Sequence, residues 1–138
     1  MELRVRKIQE KDLDLFDTWY KKYDDTMPER DFLPEDGLGG FVVCKGDDPI
    51  GAMWLYLTNA KTCIPTFMIS DKDYKDVDKK EALQLLMDFT TDFGEQLGCK
   101  YAFAWARGNR VLDYHLESGY VKSPDQYHEV IYKYKWEE

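Results

Sequence analysis

Residues 63–106 read "CIPTFMISDKDYKDVDKKEALQLLMDFTTDFGEQLGCKYAFAWA", and the order strand, loop, helix, strand within them decides the fold. "CIPTFMIS" is a short β-rich apolar run. The loop that follows, residues 71–80, carries four acids and four bases and no glycine. Ala82, Leu86, Phe89, Phe93 and Leu97 then step by four, three, four and four, which places them on one helical stripe. Asp78 with Glu81 three residues later resembles a capping box, and Gly98 falls just past the end of the helix. "KYAFAWA" is almost continuously apolar, the pattern of a strand buried on both faces in mid-sheet after a helical crossover.

Working outward, "LRVRKI" alternates with period two and predicts a half-buried strand, and "EKDLDLFDTWYKKY" places Leu13, Phe16, Tyr20 and Tyr23 on one helical face. Residues 24–40, "DDTMPERDFLPEDGLGG", read as a long loop with one short helical turn, and loops of this length inside compact domains are often functional. "FVVCKGDDPIGAMWLYLT" reads as two strands joined at "GDDP". Downstream, "GNRVLDYHLESGY" predicts a shorter helix ending at Gly119, and "YHEVIYKYKW" alternates as a closing strand with one wet face. The order βα(loop)βββαβαβ implies an α/β (α+β) domain over 1–138. Its sheet is mixed and mostly antiparallel, of six or seven strands, flanked by three or four helices.

The chain has 138 residues, enough for one core without staples, and 10 Tyr, 7 Phe and 4 Trp supply it. Cys44, Cys63 and Cys99 are odd in number and widely spaced, which suits reduced thiols in a cytoplasm and implies no disulfide or zinc framework. No apolar run reaches the roughly 20 residues that span a bilayer, so a soluble cytoplasmic protein without a membrane partner is expected. The net charge of −8 disfavours nucleic acid and suits a basic or amine-bearing partner. No Walker loop, dinucleotide fingerprint, Ser-His-Asp arrangement or zinc spacing occurs. Asp71, Asp73, Asp76 and Glu81 raise a calcium-loop reading, but Asp76 and Ala82 occupy the places that need glycine and glutamate. Trp54 and Tyr56 share a strand face that is either core or the wall of an acceptor pocket. Glu29, Arg30, Asp31, Glu35 and Asp36 would form a largely acidic rim suited to a cationic amine. His128 is expected to be exposed.

The order of elements, together with "GNRVLDYHLESGY" and its Gly119 and Tyr120, resembles the GCN5-related N-acetyltransferase (GNAT) family over essentially the whole chain. The resemblance implies transfer of an acetyl group from acetyl-CoA, as co-substrate, to a primary amine of a small molecule or protein. A homodimer is compatible with it. By the same resemblance, Phe67, Met68 and Ile69 lie on the strand whose backbone pairs with the pantetheine arm, and Asn109 belongs to the cofactor side of the shorter helix. The family's pyrophosphate loop, Q/R-x-x-G-x-G/A, falls on Lys75-x-x-Asp78-x-Lys80, so both glycine positions are lost.

Two unit charges about 4 Å apart interact by about 4 kcal/mol at an effective dielectric near 20, so an inward Asp78 would oppose a phosphate. Inward Lys75, Lys79 and Lys80 would instead hold one by side chains. The family's general-acid tyrosine, counted back from Gly119, falls on His115 with Tyr114 beside it. Adjacent helical residues point about 100° apart, so only one of the pair faces the cleft. The competing reading is a non-catalytic GNAT-fold module that has lost acetyl-CoA binding and works through a protein partner.

Overall fold

The computed structural model describes residues 2–135, and in it five strands form one sheet in the order β1-β2-β3-β4-β5. β1 (Leu3–Lys7), β2 (Gly40–Lys45), β3 (Asp48–Leu57) and β4 (Thr62–Ser70) pair antiparallel in succession. β5 (Tyr101–Ala102) joins β4 in parallel. A parallel neighbour needs a crossover, and α2 (Lys79–Gln96) supplies it. The other α-helices are α1 (Leu13–Lys22) and α3 (Gly108–Glu117), while 3-10 turns at Arg30–Phe32 and Pro34–Gly37 shape the path from α1 to β2.

Alternation along β2 and β3 builds two cores. Val42, Cys44, Ala52 and Trp54 face α1 and meet Phe16, Trp19 and Tyr20. Phe41, Val43 and Met53 face α2 and meet Ala82, Leu83, Leu86 and Met87, with Tyr114 of α3. Each fully buried side chain of this size contributes about 1.5–3 kcal/mol, and a one-residue slip would turn both sets inside out. Glycines permit the closest approach of α2 to the sheet: a Cβ on Gly94 would lie 2.6 Å from Cys63 Sγ, and one on Gly51 would lie 2.4 Å from Leu83 Cδ2. Between β1 and α1, the Arg6 guanidinium donates to both carboxylate oxygens of Asp12 at 2.8 and 2.9 Å, and the Gln9 amide donates to the same carboxylate at 2.8 Å.

The structure differs from the sequence expectations in several places. Among the described residues five strands form instead of six or seven. Residues 127–135, expected as a closing strand, are exposed and carry no regular structure. Their alternating pattern needs a ladder partner, and β5 offers two residues only. The run after Tyr101 is not buried on both faces either: Tyr101, Phe103 and Trp105 are exposed. On α2 the buried set is Ala82, Leu83, Leu86, Met87, Thr90 and Gly94, whereas Phe89 and Leu97 are exposed. The stripe is rotated toward the small residues that let the helix close on the sheet. On α1, Trp19 takes the inward place expected for Tyr23, which is exposed. Gly98 past the end of α2 does adopt the left-handed conformation, with φ of 96°.

Candidate active site

The site begins with a split in the sheet. β4 pairs with β5 only at Thr62 and Cys63, and the Phe103 amide adds one bond to the Cys63 carbonyl at 2.9 Å. Beyond that point the chain leaves, so among the described residues the rest of this edge of β4 has no strand partner. On its other edge β4 pairs Thr66 with Trp54 and Ile69 with Ala52, which leaves Phe67 and Met68 as a bulge opposite Met53. Phe67 has φ of 58°, uncommon for an aromatic residue, and packs near Phe32 and Tyr56 with ring centroids 6.1 and 6.3 Å away. Bulges re-aim side chains, and this one turns the strand toward a cleft of about 1630 Å³. Phe67, Met68, Ile69 and Ser70 form one wall; Arg110, Val111 and Tyr114 of α3 form the other. The start of α2, the end of α1 with the loop that follows it, and residues 129 and 131–134 complete the lining.

At the α2 end, Lys79 and Lys80 line the cleft. Lys79 Nζ donates to the Asp71 carbonyl at 2.8 Å, and burial lowers its pKa below the usual lysine value. Asp78 is turned away. Its carboxylate accepts from the Tyr74 hydroxyl at 2.9 Å and pairs with Lys45 of β2 at 3.0 Å, contacts that hold it below the usual carboxylate range. It therefore makes no side-chain cap on α2, and the expected capping box is absent. Asp76 does line the cleft, with Lys45 at 3.6 Å on its other side. Lys75 and Asn109 do not line it. Asp71 and Asp73 both pair with Lys22, at 3.1 and 3.0 Å, so two ligands of the calcium reading face a lysine. Among the described residues no group of three His, Cys, Asp or Glu side chains is placed to hold a metal ion.

α3 presents Tyr114 and His115 in different directions, as the 100° step requires. Tyr114 lines the cleft wall, and burial raises its pKa while nearby Arg110 opposes the rise. His115 is not in the lining and is buried, 5% exposed. Its Nδ1 lies 2.9 Å from the Val111 carbonyl, an acceptor, so Nδ1 carries the proton. Its ring meets Tyr120 edge-on at 4.9 Å, and Nε2 is buried without a partner. Burial lowers the imidazole pKa below its ordinary 6.5. His128 is exposed.

At the loop end, Trp54 and Tyr56 do not line a pocket; they anchor the loop that does. Trp54, fully buried, donates from Nε1 to the Gly37 carbonyl at 2.9 Å, and the Tyr56 hydroxyl donates to the Phe32 carbonyl at 2.6 Å. Arg30, Glu35 and Asp36 of the expected rim are engaged elsewhere: Arg30 with Glu10 and Asp36, and Glu35 with Lys7. Asp25, Glu29 and Asp31 remain on the cleft, beside Tyr20 of α1. Asp25 pairs with Arg107 at 3.3 Å across the mouth. Sequence reasoning missed Tyr20, Asp25, Arg107 and Arg110 as cleft residues. Tyr20 stood on the inward face of α1 close to the long loop, and the two arginines flank the start of "GNRV", but spacing alone does not join these segments.

No protein-family model matches the chain, and no curated protein matches its sequence. Solved structures do match its shape. An N-acetylglutamate synthase from Neisseria gonorrhoeae, solved with coenzyme A and N-acetyl-glutamate, aligns over 86% of this chain and 28% of its own at 13% identity and a TM-score of 0.68. An aminoglycoside acetyltransferase from an uncultured soil metagenomic sample aligns over 96% and 97% at 14% identity and 0.64. A GNAT family acetyltransferase from Staphylococcus aureus aligns over 95% and 100% at 18% identity and 0.59. The chain has the GNAT fold. Residues 71–80 carry no glycine, the sheet has five strands among the described residues, and a buried histidine follows the cleft-facing tyrosine. No helix among the described residues is long and apolar enough to cross a membrane.

Proposed function

We propose that the protein transfers an acetyl group from acetyl-CoA to a primary amine. The observation that carries this reading is the edge of β4 left open by the departure of β5, with the Phe67–Met68 bulge facing a cleft between Lys79 and Lys80 at one end and Tyr114 on the opposite wall. Unpaired backbone groups on a strand edge suit the amide-rich pantetheine arm. Side-chain cations at the start of α2, reinforced by Arg110, suit the phosphates in place of the missing glycines. Asp78, which would have opposed them, is neutralised by Lys45 outside the cleft.

Bound acetyl-CoA supplies a thioester carbonyl, whose C–S bond breaks as the C–N bond to the amine forms. The chain's own contribution is positioning and one proton. The Tyr114 hydroxyl, held protonated by burial, gives its proton to the departing thiolate sulfur, and the amine releases its proton to solvent or a cleft carboxylate. The free thiols Cys44, Cys63 and Cys99 suit a reducing cytoplasm.

Calorimetric titration with acetyl-CoA and coenzyme A tests the reading. Saturable binding that disappears in Lys80→Glu supports it. No heat at millimolar coenzyme defeats it and leaves the non-catalytic module, for which Asp76 on the cleft lining is the favouring observation.

A further inference from the structure

α2 carries a polar stripe on the side that meets the end of α3. Gln84, Asp88 and Thr91 stand four and three residues apart, so they share one helical face, and each bonds to the last turn of α3 or to the residues just after it. The Gln84 side-chain amide donates to the Tyr114 carbonyl at 2.9 Å, to Ser118 Oγ at 2.8 Å and to Asp88 Oδ1 at 3.3 Å. Ser118 Oγ donates in turn to that Asp88 oxygen, and the Thr91 and Tyr120 hydroxyls lie 2.8 Å apart.

Tyr114 shares a buried apolar cluster with Ala82, Leu83, Leu86 and Met87 of α2. Such burial is non-directional: it holds α3 against α2 without fixing how far along α2 it sits or how it is turned. Hydrogen bonds are directional and weaken steeply when their angles are lost, so the bonds from Gln84 fix what the apolar contact leaves free. The Tyr114 carbonyl belongs to the last turn of α3, where it also accepts from the Ser118 amide at 3.2 Å, and Gln84 reaches it from the neighbouring helix. A carboxylate beside a helix C-terminus is unfavourable, yet Asp88 stands there, bridged to the Tyr114 carbonyl by the Gln84 amide. Gln84 and Tyr114 both line the cleft, whereas Asp88 and Ser118 do not.

We infer that Gln84 is a positioning residue: by bonding the Tyr114 carbonyl and Ser118 together it sets the register of α3 on α2, and with it the place of the Tyr114 hydroxyl in the cleft. The inference rests on the proposed role of Tyr114 as proton donor for its effect on turnover, but not for the posture of the ring. The hydroxyl stands at the far end of a rigid side chain, so a small turn of α3 moves it further than it moves the backbone. A misplacement of about 1 Å can cost roughly 10²-fold in rate. The burial that keeps the proton on Tyr114 likewise depends on α3 staying seated.

The full chain is compared with Gln84→Leu, Ser118→Ala and Ser118→Thr by two readouts. One is kcat for acetyl transfer from acetyl-CoA to n-butylamine, set against the Kd for acetyl-CoA. The other is the pH titration of the Tyr114 ring carbon that bears the hydroxyl, followed by carbon-13 NMR and assigned through Tyr114→Phe. In the wild type this group titrates above the ordinary tyrosine value of 10. Gln84→Leu brings the titration down toward 10 and lowers kcat by about tenfold, a partial misplacement, while the Kd for acetyl-CoA stays at the wild-type level. Ser118→Ala, outside the cleft, moves both readouts in the same direction, and Ser118→Thr, which keeps the hydroxyl, restores them. A lower melting temperature with the Tyr114 titration and kcat unmoved marks a merely structural bond and overturns the inference. So does a Ser118→Thr variant no better than Ser118→Ala, and this pair decides the matter if Gln84→Leu does not fold. Acetyl transfer with an unmoved Tyr114 titration in Gln84→Leu defeats this inference alone. A titration that moves in Gln84→Leu, in a chain that binds no coenzyme, defeats acetyl transfer alone.

Discussion

Tyr114 and His115 are neighbours in sequence with opposite fates, because one helical step carries the second ring out of the cleft and against Tyr120. If Tyr114 supplies the proton to the thiolate, Tyr114→Phe lowers kcat by about 10²–10⁴, the usual range for a general acid, while coenzyme affinity is retained. His115→Phe leaves turnover at the wild-type level, and a fall equal to that of Tyr114→Phe would reverse the assignment. His115 acts instead on stability. The folded protein resists protonating it, whereas the unfolded chain takes up the proton near the ordinary value of 6.5. The unfolded state thus binds more protons below that value, and stability declines as pH falls through it. Thermal melts between pH 8 and pH 5 should show the decline, and His115→Phe should flatten it.

Asp12 has the opposite sign. Burial pushes its carboxyl up, but the Arg6 guanidinium and the Gln9 amide together hold it below 3.8. Its contribution is therefore complete above that value and is lost as pH falls through the lower folded one. Asp12→Ala leaves Arg6 without its partner and should cost about 3–5 kcal/mol in urea unfolding, as for other buried pairs that lose one member.

The elements themselves were partly written in the pattern of the chain. The period-two runs, the 3.6-residue face and the turn residues marked β1 to β4, α1, α2 and α3, because each of those segments buries one face and its side chains say so. What pattern could not supply was pairing. "KYAFAWA" and "YHEVIYKYKW" have strand composition, yet the first leaves β4 after two paired residues and the second finds no edge. Nor could pattern show which way Asp78 turns, since that depends on Lys45 two strands away in sequence. α2 offers a direct check of the packing. Gly94→Ala gains about 1 kcal/mol of helix propensity but drives a methyl within 2.6 Å of Cys63 Sγ, and overpacking of this kind costs about 1–3 kcal/mol. The variant should be less stable than wild type by chemical denaturation. Adding Cys63→Ala should return part of the loss, and an additive double variant would show that the contact is not the cause.

For the whole molecule, the sheet is a scaffold whose one split, between β4 and β5, opens the cleft. β5 departs from β4, α2 and α3 flank the opening, and the α1–β2 loop, pinned by Trp54 and Tyr56, closes the far side. The order of elements was enough to suggest the fold, which the three solved structures named above share at 13–18% identity. The residues that give the cleft its charge come from four separate segments, which is why residue spacing did not reveal them. We propose that the lysine-lined start of α2 receives a coenzyme although residues 71–80 carry no glycine. The direct measurement is the melting temperature of the intact chain with increasing acetyl-CoA, in parallel with Lys80→Glu. A ligand at one hundred times its Kd stabilises by about 2.7 kcal/mol, so the wild type should melt several degrees higher while the variant stays unmoved. A wild-type melting temperature unchanged at millimolar acetyl-CoA would contradict the claim.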